Sequence, residues 1–367
     1  MKPSKRISVL FFANANTSRM VAQDLNAKDL VAHFDDRFEV YLFNSGPGEI
    51  DAKCRKPNVH VINRLTPFQK IFATVYYSVV KPFDFHFYIR SYQSIFYWWF
   101  KRLFLNRAET IHPIEILLPY PAGKGYRRRA RRNALNSDYL FGLTELINES
   151  VFREYGRRVT GKIPIGVDVD TFGKRAVEST QGRLRVLSVG SLQPRKRPDF
   201  FVETASRFPD VDFVWIGRGQ ERERILKIAA DKGVENFTLM APMAHPDLAR
   251  EMNGSDIFFF PSRHEGLPKV VVEAMACGLP AIVFDDYGPE HVQDGLSGYI
   301  VHTDHDARKR LNELLASPSL RARMGAAAIE RAQAFSWKRI AEQWMDFLVS
   351  VHGQGGGAEL NDTIDDG

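Results

Sequence analysis

Residues 256–283 read DIFFFPSRHEGLPKVVVEAMACGLPAIV, and this stretch gives the clearest indication of the fold class. Its apolar run up to Phe260 indicates a buried strand, and a second apolar run begins at Leu279. Pro268 suits the first turn of a helix, where its missing N–H would be unpaired anyway. Gly278 suits the position just after a helix, where φ turns positive. The stretch therefore predicts a strand, a loop, a helix over 268–277 and a further strand, which is the repeating unit of a parallel α/β sheet.

The same alternation extends in both directions along the chain. In the second half, strands are predicted at 184–190, 212–217, 237–242, 256–262 and 279–285, with helices at 199–207, 221–232, 246–253 and 268–277. In the first half, strands are predicted at 7–12, 38–43, 83–88, 139–142 and 162–164, with helices at 18–34, at 92–105 and after Thr144. Two doubly wound parallel-sheet domains follow from this pattern.

The domain boundary is expected in the segment 163–182, where proline, glycine and polar residues concentrate. We therefore expect an N-terminal domain over residues 1–163 and a C-terminal domain over 164–335. A last helix is expected over 336–352. The tail 353–367 is glycine-rich and acidic, which is typical of disorder.

Composition limits the class of protein. The chain has 367 residues, of which 44% are hydrophobic and 26% charged, as in a folded protein of two domains. Two cysteines exclude a disulfide framework and favour a reducing compartment. The apolar run at 7–12 is a better first strand than a signal peptide. No stretch reaches the roughly 18 to 20 uninterrupted apolar residues of a membrane span.

Charge is distributed unevenly. Residues 1–165 carry 26 Lys and Arg against 14 Asp and Glu, whereas the remaining residues carry a net charge of −6. The basic residues lie beside aromatic ones at 92–107 and 123–133, a composition typical of a segment that lies on an anionic bilayer surface. The alternative is a buried helix at 96–104 and a solvated arginine face. Nucleic acid is not an expected partner, because no nucleic-acid module surrounds the arginines.

Glu265 and Glu273 are eight positions apart on either side of the predicted helix start. That start follows the carboxyl end of a strand, which is the ligand edge of an open α/β sheet. The N–H groups near Lys269 and Val270 would form an anion site there. Two carboxylates around such a site suit a nucleotide sugar, which has diols at both ends and a diphosphate between them. The alternative is that Glu265 caps the helix and Glu273 is solvated.

A second candidate group occurs in VGSLQPRKRPDFFVE, residues 189–203. A strand ends there, Gly190 makes a turn, and Lys196 precedes a helix. Lys196, helped by Arg195, is well placed to neutralise a diphosphate; the alternative is a basic surface turn. The glycine turn IGRGQER (216–222) lacks the third glycine of a dinucleotide fingerprint and is weaker evidence.

The second half resembles the retaining glycosyltransferases of GT-B architecture, in the large nucleotide-sugar-dependent group known as glycosyltransferase family 4. The matching stretches are IPIGVDVDTF (163–172), VGSLQPRK (189–196), FVWIGRGQ (213–220), the quoted stretch 256–283 and GPEHVQDGLSGYIV (288–301). The resemblance implies two Rossmann-like domains that face a cleft, with the last helix crossing back to the N-terminal domain.

The resemblance also implies roles for the matching residues. Glu265 would bind the transferred sugar, Glu273 the ribose hydroxyls, and Lys196 the diphosphate and the charge of the leaving group. The other implied donor-binding residues are Gly190, Ser191, Arg195, Met243, Gly266, Leu267 and Pro268. His112 resembles the catalytic histidine that ends an N-domain strand near the reacting sugar; the alternative is a loop histidine.

Two departures from the family pattern stand out. Ser191 occupies a position where the family often has a phosphate-binding arginine, so Arg195 or Arg218 would have to replace it. The Gly-Gly turn expected after the first strand is replaced by NANTSRM (14–20). Asn14, Asn16 and Arg19 are therefore candidates for contact with the acceptor or a phosphate.

The expected function is retaining transfer of a sugar from a UDP- or GDP-sugar to a glycan or lipid-linked acceptor, in cell-envelope polysaccharide or lipopolysaccharide synthesis. No metal or cofactor is expected, because Lys196 and the helix start replace a cation and the motif DVD (168–170) reads as a turn. A cytoplasmic protein, peripheral at the inner face of the plasma membrane, is expected. Two alternatives are a nucleotide-sugar epimerase on the same scaffold and a non-catalytic, membrane-associated partner built on a degenerate transferase.

Overall fold

The computed structural model describes residues 6–17, 22–44, 48–62, 69, 72–73, 76–88, 103, 107–115, 117–118, 131, 136–174 and 182–352. The predicted helix 92–105 and the arginine run 123–133, apart from Leu103 and Arg131, lie outside these residues, as does the tail 353–367.

A seven-stranded sheet is built from the first part of the chain. Its strands are β1 (Ile7–Asn14), β2 (Phe38–Phe43), β3 (Val59–Ile62), β4 (Phe85–Phe87), β5 (Glu109–Ile114), β6 (Tyr139–Gly142) and β7 (Gly161–Lys162). They lie in the order β3-β2-β1-β4-β5-β6-β7. Among its described residues, this part has the helices α1 (Ala22–Val31) and α2 (Glu145–Tyr155), with shorter helical turns at Ala52–Cys54 and Tyr76–Val80. Phe11 packs in the core, stacked on Phe87 at 4.7 Å between ring centroids.

A six-stranded parallel sheet forms the second part. Its strands are β8 (Arg185–Val189), β9 (Asp212–Ile216), β10 (Phe237–Met240), β11 (Ile257–Phe260), β12 (Ala281–Phe284) and β13 (Gly298–Val301). They lie in the order β10-β9-β8-β11-β12-β13. The chain thus builds the sheet outward from β8 in one direction and then from β11 in the other. Such an order places a topological switch point between β8 and β11.

Helices connect these strands, as parallel pairing requires. They are α3 (Pro198–Ala205), α4 (Arg222–Asp231), α5 (His245–Asn253), α6 (Lys269–Ala276), α7 (Asp304–Ala316) and α8 (Pro318–Gln333). Aromatic rings fill much of the core against the sheet. Phe201 of α3 meets Phe213 and Trp215 of β9 edge-on, at 5.3 and 5.4 Å between centroids.

The chain divides into two compact units. The first consists of residues 1–113, 122–140 and 338–367, and the second of residues 114–121 and 141–337. The last helix, α9 (Trp337–His352), thus returns to the first unit, where Trp344 packs on Phe87 at 4.7 Å. No helix within the described residues is long and apolar enough to span a bilayer.

The grouping places residues 141–163 with the second unit, whereas the predicted boundary lies at 163–164. Contacts link this segment to the rest of the second unit: Glu290 accepts a hydrogen bond from the backbone N–H of Glu145 at 2.5 Å and pairs with Lys162 at 2.7 Å. By strand membership, however, the first sheet extends to β7 at Gly161–Lys162, and the predicted boundary stays a prediction.

The predicted α/β class is confirmed, with differences in detail. The predicted strands 38–43 and 139–142 have the observed bounds, and the predicted helix 268–277 is observed as Lys269–Ala276. The sequence analysis missed β3, β13, α7 and α8, and it did not place β5 as a strand. Three of the six residues of β5, ETIHPI, are polar and a fourth is a proline, which is uncommon within strands.

Candidate active site

Two loops meet at the switch point of the second sheet. Strands β8 and β11 are parallel neighbours, with Leu187 opposite Phe258. Their carboxyl ends therefore lie at the same edge. The loop after β8 carries Lys196, and the loop after β11 carries Glu265.

The loop after β8 is held by backbone hydrogen bonds to the neighbouring turn. Leu192 N–H donates to the carbonyl oxygen of Arg218 at 2.9 Å, and Gly190 N–H donates to that of Ile216 at 3.0 Å. A Cβ on Gly217 would lie 1.9 Å from the carbonyl oxygen of Gly190, so only glycine fits there. The loop ends in a 3₁₀ turn, Pro194–Lys196, which places Lys196 against the sheet edge.

Glu265 is the centre of the site. Its Oε1 lies 2.5 Å from Lys196 Nζ and 2.9 Å from Arg195 Nη1. The hydroxyl of Ser262 donates to the same oxygen at 2.5 Å. Within the described part of the chain, Oε2 of Glu265 has no hydrogen-bond partner. One carboxylate oxygen is thus neutralised by two cations, while the other can accept further donors.

Lys196 is an unusually buried lysine, with only 10% of its side chain exposed. Its ammonium lies 4.7 Å from the ring centroid of Phe260. Burial lowers the pKa of Lys196, and Glu265 partly offsets that effect by favouring the charged form. A buried cation at a ligand edge is suited to an anion that enters the site and replaces water.

The start of α6 lies beside this group. Pro268 is the residue immediately before the helix, and no side chain caps the helix start. Uncapped N–H groups and the helix dipole favour an anion at this position. Gly266 precedes the helix start and lies close to the backbone of Glu115. A Cβ at position 266 would lie 1.9 Å from the carbonyl oxygen of Glu115. Leu267 is buried, so the turn between Glu265 and α6 is well anchored.

The structure contradicts the alternatives for the two glutamates and for Lys196. Glu265 does not cap α6, since the helix has no side-chain cap. Glu273 is only 4% exposed, so it is not a solvated helix residue. Lys196 is not part of a basic surface turn, because it is buried against Glu265.

The remaining predicted donor residues lie in loops at the same sheet edge. Gly190 and Ser191 follow β8, where an added Cβ on Gly190 would make ordinary contact with the Lys196 side chain at 3.7 Å. Met243 follows β10 and is partly buried. Arg218 follows β9 and is exposed, whereas Arg195 already contacts Glu265 and the carbonyl oxygen of His264. Of the two candidates to replace the missing arginine, Arg195 is therefore the one within the cluster.

His112 lies in the first unit, and its position in the strand differs from the predicted one. It is the fourth residue of β5, neither at the end of the strand nor in a loop. Its Nδ1 lies 3.2 Å from the carbonyl oxygen of Tyr88, and burial lowers the pKa of His112 to about 4. The imidazole is thus neutral near pH 7, and its catalytic role stays a prediction.

Asn14 and Asn16 use their side chains within the first unit. Both are buried; Asn14 accepts from the backbone N–H of Asn16 at 3.2 Å, and Asn16 donates to Asn44 at 3.3 Å. This network stabilises the atypical turn after β1 and does not favour contact of the two side chains with an acceptor. Arg19 lies outside the described residues.

Two residues of the site were missed by the sequence analysis. Ser262 donates a hydrogen bond to Glu265. Its position three residues before Glu265, in PSRHE, is the sequence feature that could have indicated this contact. Tyr287 follows β12, and its buried hydroxyl has no hydrogen-bond partner within the described residues. Burial, with the nearby charges of Glu265 and Asp286, raises the pKa of Tyr287. No group of three or more His, Cys, Asp or Glu suited to a metal ion occurs in the part of the chain that the structure describes.

Part of the chain is similar to a known family. Residues 171–331 match the family described as "Glycosyl transferases group 1". The matched segment makes up 161 of the 367 residues. It contains β8 to β13 and every residue of the cluster around Glu265.

Curated relatives of this chain are glycosyltransferases by name. The D-inositol 3-phosphate glycosyltransferase of Mycolicibacterium gilvum is 33% identical over 206 residues, which are 52% of this chain and 45% of the relative. The enzyme of the same name from Streptomyces bingchenggensis is 29% identical over 258 residues, 59% of this chain and 56% of the relative. The chain spans about half the length of the curated relatives it matches.

Solved structures extend the similarity to both sheets. Sucrose-phosphate synthase from Thermosynechococcus elongatus has a TM-score of 0.77 at 19% identity, over 95% of this chain and all of that one. HepE of Anabaena, in complex with UDP-glucose, has a TM-score of 0.75 at 18% identity, over 94% of this chain and all of that one. These similarities confirm the predicted fold class, two parallel-sheet α/β domains of GT-B type.

Proposed function

We propose that the protein is a glycosyltransferase that moves a sugar from a UDP- or GDP-sugar to a glycan or lipid-linked acceptor. The observation that carries this proposal is the meeting of Lys196, Arg195 and Glu265 at the switch point, beside the uncapped start of α6. Two cations, a carboxylate and a helix N-terminus form a set that suits a diphosphate joined to a hydroxyl-rich ring.

Donor binding would exchange the partners of Lys196 and Arg195. In the structure both cations pair with Oε1 of Glu265. A diphosphate carries more negative charge than one carboxylate and would take over these cations. Glu265 would then accept hydrogen bonds from the sugar, while Glu273 in the second turn of α6 would accept them from the ribose hydroxyls.

Charge stabilisation would be the main contribution to the rate. As the bond between the anomeric carbon and the phosphate oxygen breaks, negative charge grows on the diphosphate. Lys196, Arg195 and the N–H groups of α6 would stabilise that charge without a metal ion. We propose a reaction on one face of the sugar, with retention. The acceptor oxygen bonds to the anomeric carbon, and its proton passes to the departing phosphate.

Fewer observations bear on the identity of the acceptor than on that of the donor. The names of the curated relatives favour inositol phosphate as a first soluble acceptor to test, beside lipid extracts. Residues 1–165 contain 26 basic and 14 acidic residues. This excess of positive charge supports a peripheral position on an anionic membrane and a role in cell-envelope glycan synthesis.

The test is a donor screen followed by product analysis. A ligand at about 100 times its Kd stabilises the folded state by about 2.7 kcal/mol, which is roughly 5–10 °C in Tm for a unit of this size. We expect such a shift with UDP- or GDP-sugars and a smaller one with the free sugar. Product formed with inositol phosphate or lipid extract, with the donor's anomeric configuration and in the presence of EDTA, would support the full proposal. No shift with any nucleotide sugar would contradict it.

A further inference from the structure

Asp304 joins two arginines through one carboxylate. Its Oδ2 accepts from Arg197 Nη2 at 2.6 Å, and its Oδ1 accepts from Arg263 Nη2 at 3.0 Å. Asp304 is the first residue of α7, after the capping residue Thr303. A carboxylate with an arginine on each oxygen fixes the distance between the two guanidinium groups.

These arginines belong to the two loops of the candidate site. Arg197 directly follows Lys196, and Arg263 lies two residues before Glu265. The loops are thus connected on two sides. At the ligand edge, Lys196 and Arg195 pair with Glu265, and Arg195 also donates to the carbonyl oxygen of His264. The Arg197–Asp304–Arg263 bridge joins the loops on another side.

Aromatic faces hold both guanidinium groups in place. Arg197 lies 4.3 Å from the ring centroid of Phe200 and 5.2 Å from that of Phe284. Arg263 lies 4.9 Å from the same Phe284 ring. Stacking on a shared ring restricts both side chains, which makes the bridge stiffer than a pair of freely solvated charges.

The backbone of Arg197 is in an unfavourable conformation. With φ of 56°, Arg197 is the only residue other than glycine with positive φ among those the structure describes. This conformation is costly for a residue with a Cβ, and glycine would adopt it without that strain. An arginine at this position indicates that its side chain has a role that outweighs the strain.

We propose that Asp304 is a positioning residue that holds the Lys196 and Glu265 loops at a fixed spacing while the donor diphosphate replaces Glu265 as the partner of Lys196. This inference rests on the proposed function. When a ligand takes over Lys196 and Arg195, the contacts of both cations with Glu265 are lost. The Ser262 hydroxyl still donates to the carbonyl oxygen of Arg195. The outer bridge, which involves neither Lys196 nor Glu265, adds a charged connection that remains and keeps both groups in their places.

The first test measures the accessibility of Lys196 without any donor. Purified protein is labelled with a small amine reagent, and modification of Lys196 is followed by mass spectrometry. In Asp304→Asn we expect Lys196 to be modified about fivefold faster, because its loop opens more often. Alkylation of Cys277, which is fully buried in the second unit, reports global opening and should stay at the wild-type rate.

Asp306→Asn is the matched control. Asp306 lies in the same first turn of α7 and pairs with Arg310 at 3.5 Å, so the variant loses the same charge at the same helix start. It should leave Lys196 labelling unchanged. Equal labelling of Lys196 in wild type, Asp304→Asn and Asp306→Asn would overturn the proposal, as would a rise in Cys277 alkylation that matches the rise at Lys196.

Arg197→Gly separates positioning from stability. The variant removes the bridge and relieves the positive φ, so Tm should stay the same or rise while Lys196 labelling increases. A donor that binds wild type should then show a kcat at least about tenfold lower, with a smaller change in KM. If Lys196 were labelled in Arg197→Gly at the wild-type rate, the proposed role of the bridge would be overturned. Failure of the wild-type protein to bind any nucleotide sugar would contradict the proposed function but would not affect the labelling result.

Discussion

Replacing Lys196 by methionine tests the proposed chemistry most directly. Methionine keeps an apolar side chain against Gly190 and Phe260 and removes only the ammonium that lies 2.5 Å from Glu265. Removing one donor that stabilises developing charge lowers kcat by about 10²–10³, or about 2.7–4 kcal/mol. We expect that loss in Lys196→Met, with a change in donor KM of less than about tenfold, because Arg195 and the start of α6 still bind the diphosphate.

The free energy of unfolding should change much less than the rate. Glu265 retains Arg195 and Ser262, so its carboxylate is not left unpaired. Burial of the Lys196 ammonium also opposes folding, which is why its pKa lies below the ordinary 10.5. We therefore expect a difference of about 1 kcal/mol or less in denaturant unfolding.

The pH dependence gives an independent measurement. Because burial lowers the folded pKa of Lys196, the folded state binds fewer protons than the unfolded chain between that lowered value and 10.5. Stability should therefore rise with pH through this window, while kcat/KM falls as the ammonium is lost. Lys196→Met should lack this alkaline decline in kcat/KM.

Steady-state kinetics with the donor identified by the screen, over a pH series, provide the assay. Lys227→Met is the control, since Lys227 lies in the same unit with 77% of its side chain exposed and the variant loses the same charge. It should behave like wild type. Turnover of Lys196→Met within about threefold of wild type, at saturating donor, would refute the assigned role.

Three further predictions follow from other contacts. Glu273→Ala should raise the donor Kd about tenfold or more, measured by calorimetry, because a charged acceptor for the ribose is lost; unchanged affinity would contradict the ribose role. Gly266→Ala should lower stability by about 1–3 kcal/mol in thermal unfolding, because its Cβ would lie 1.9 Å from the Glu115 carbonyl oxygen. In Gly254→Ala the new Cβ would lie 3.4 Å from its nearest atom, so that control variant should unfold at the wild-type temperature. Burial lowers the pKa of His112 from 6.5 to about 4. The free energy of unfolding of the first unit should therefore fall by about 2.5 kcal/mol between pH 7.5 and 4.5, and urea unfolding of His112→Gln should show a correspondingly smaller fall.

Much of the second unit could be predicted from local patterns. Buried parallel strands are continuous apolar runs, so β8, β9, β11 and β12 stood out in the sequence. The signals at Pro268 and Gly278 placed α6 within one residue at each end. In contrast, the pattern of strands and helices did not place β5, because half of its residues are polar and it contains an internal proline.

The α/β class could be read from the amino-acid sequence alone, as could the elements around the switch point and the residue types that suit a nucleotide sugar. The folded chain was needed to show that Glu265 binds Lys196, Arg195 and Ser262, that Glu273 is buried, and that Asp304 bridges Arg197 and Arg263. Local periodicity reports which residues face a core, whereas these contacts join residues up to 107 positions apart. They exist because the strand order of the second sheet brings the loops after β8 and β11 side by side, and no local pattern contains that order.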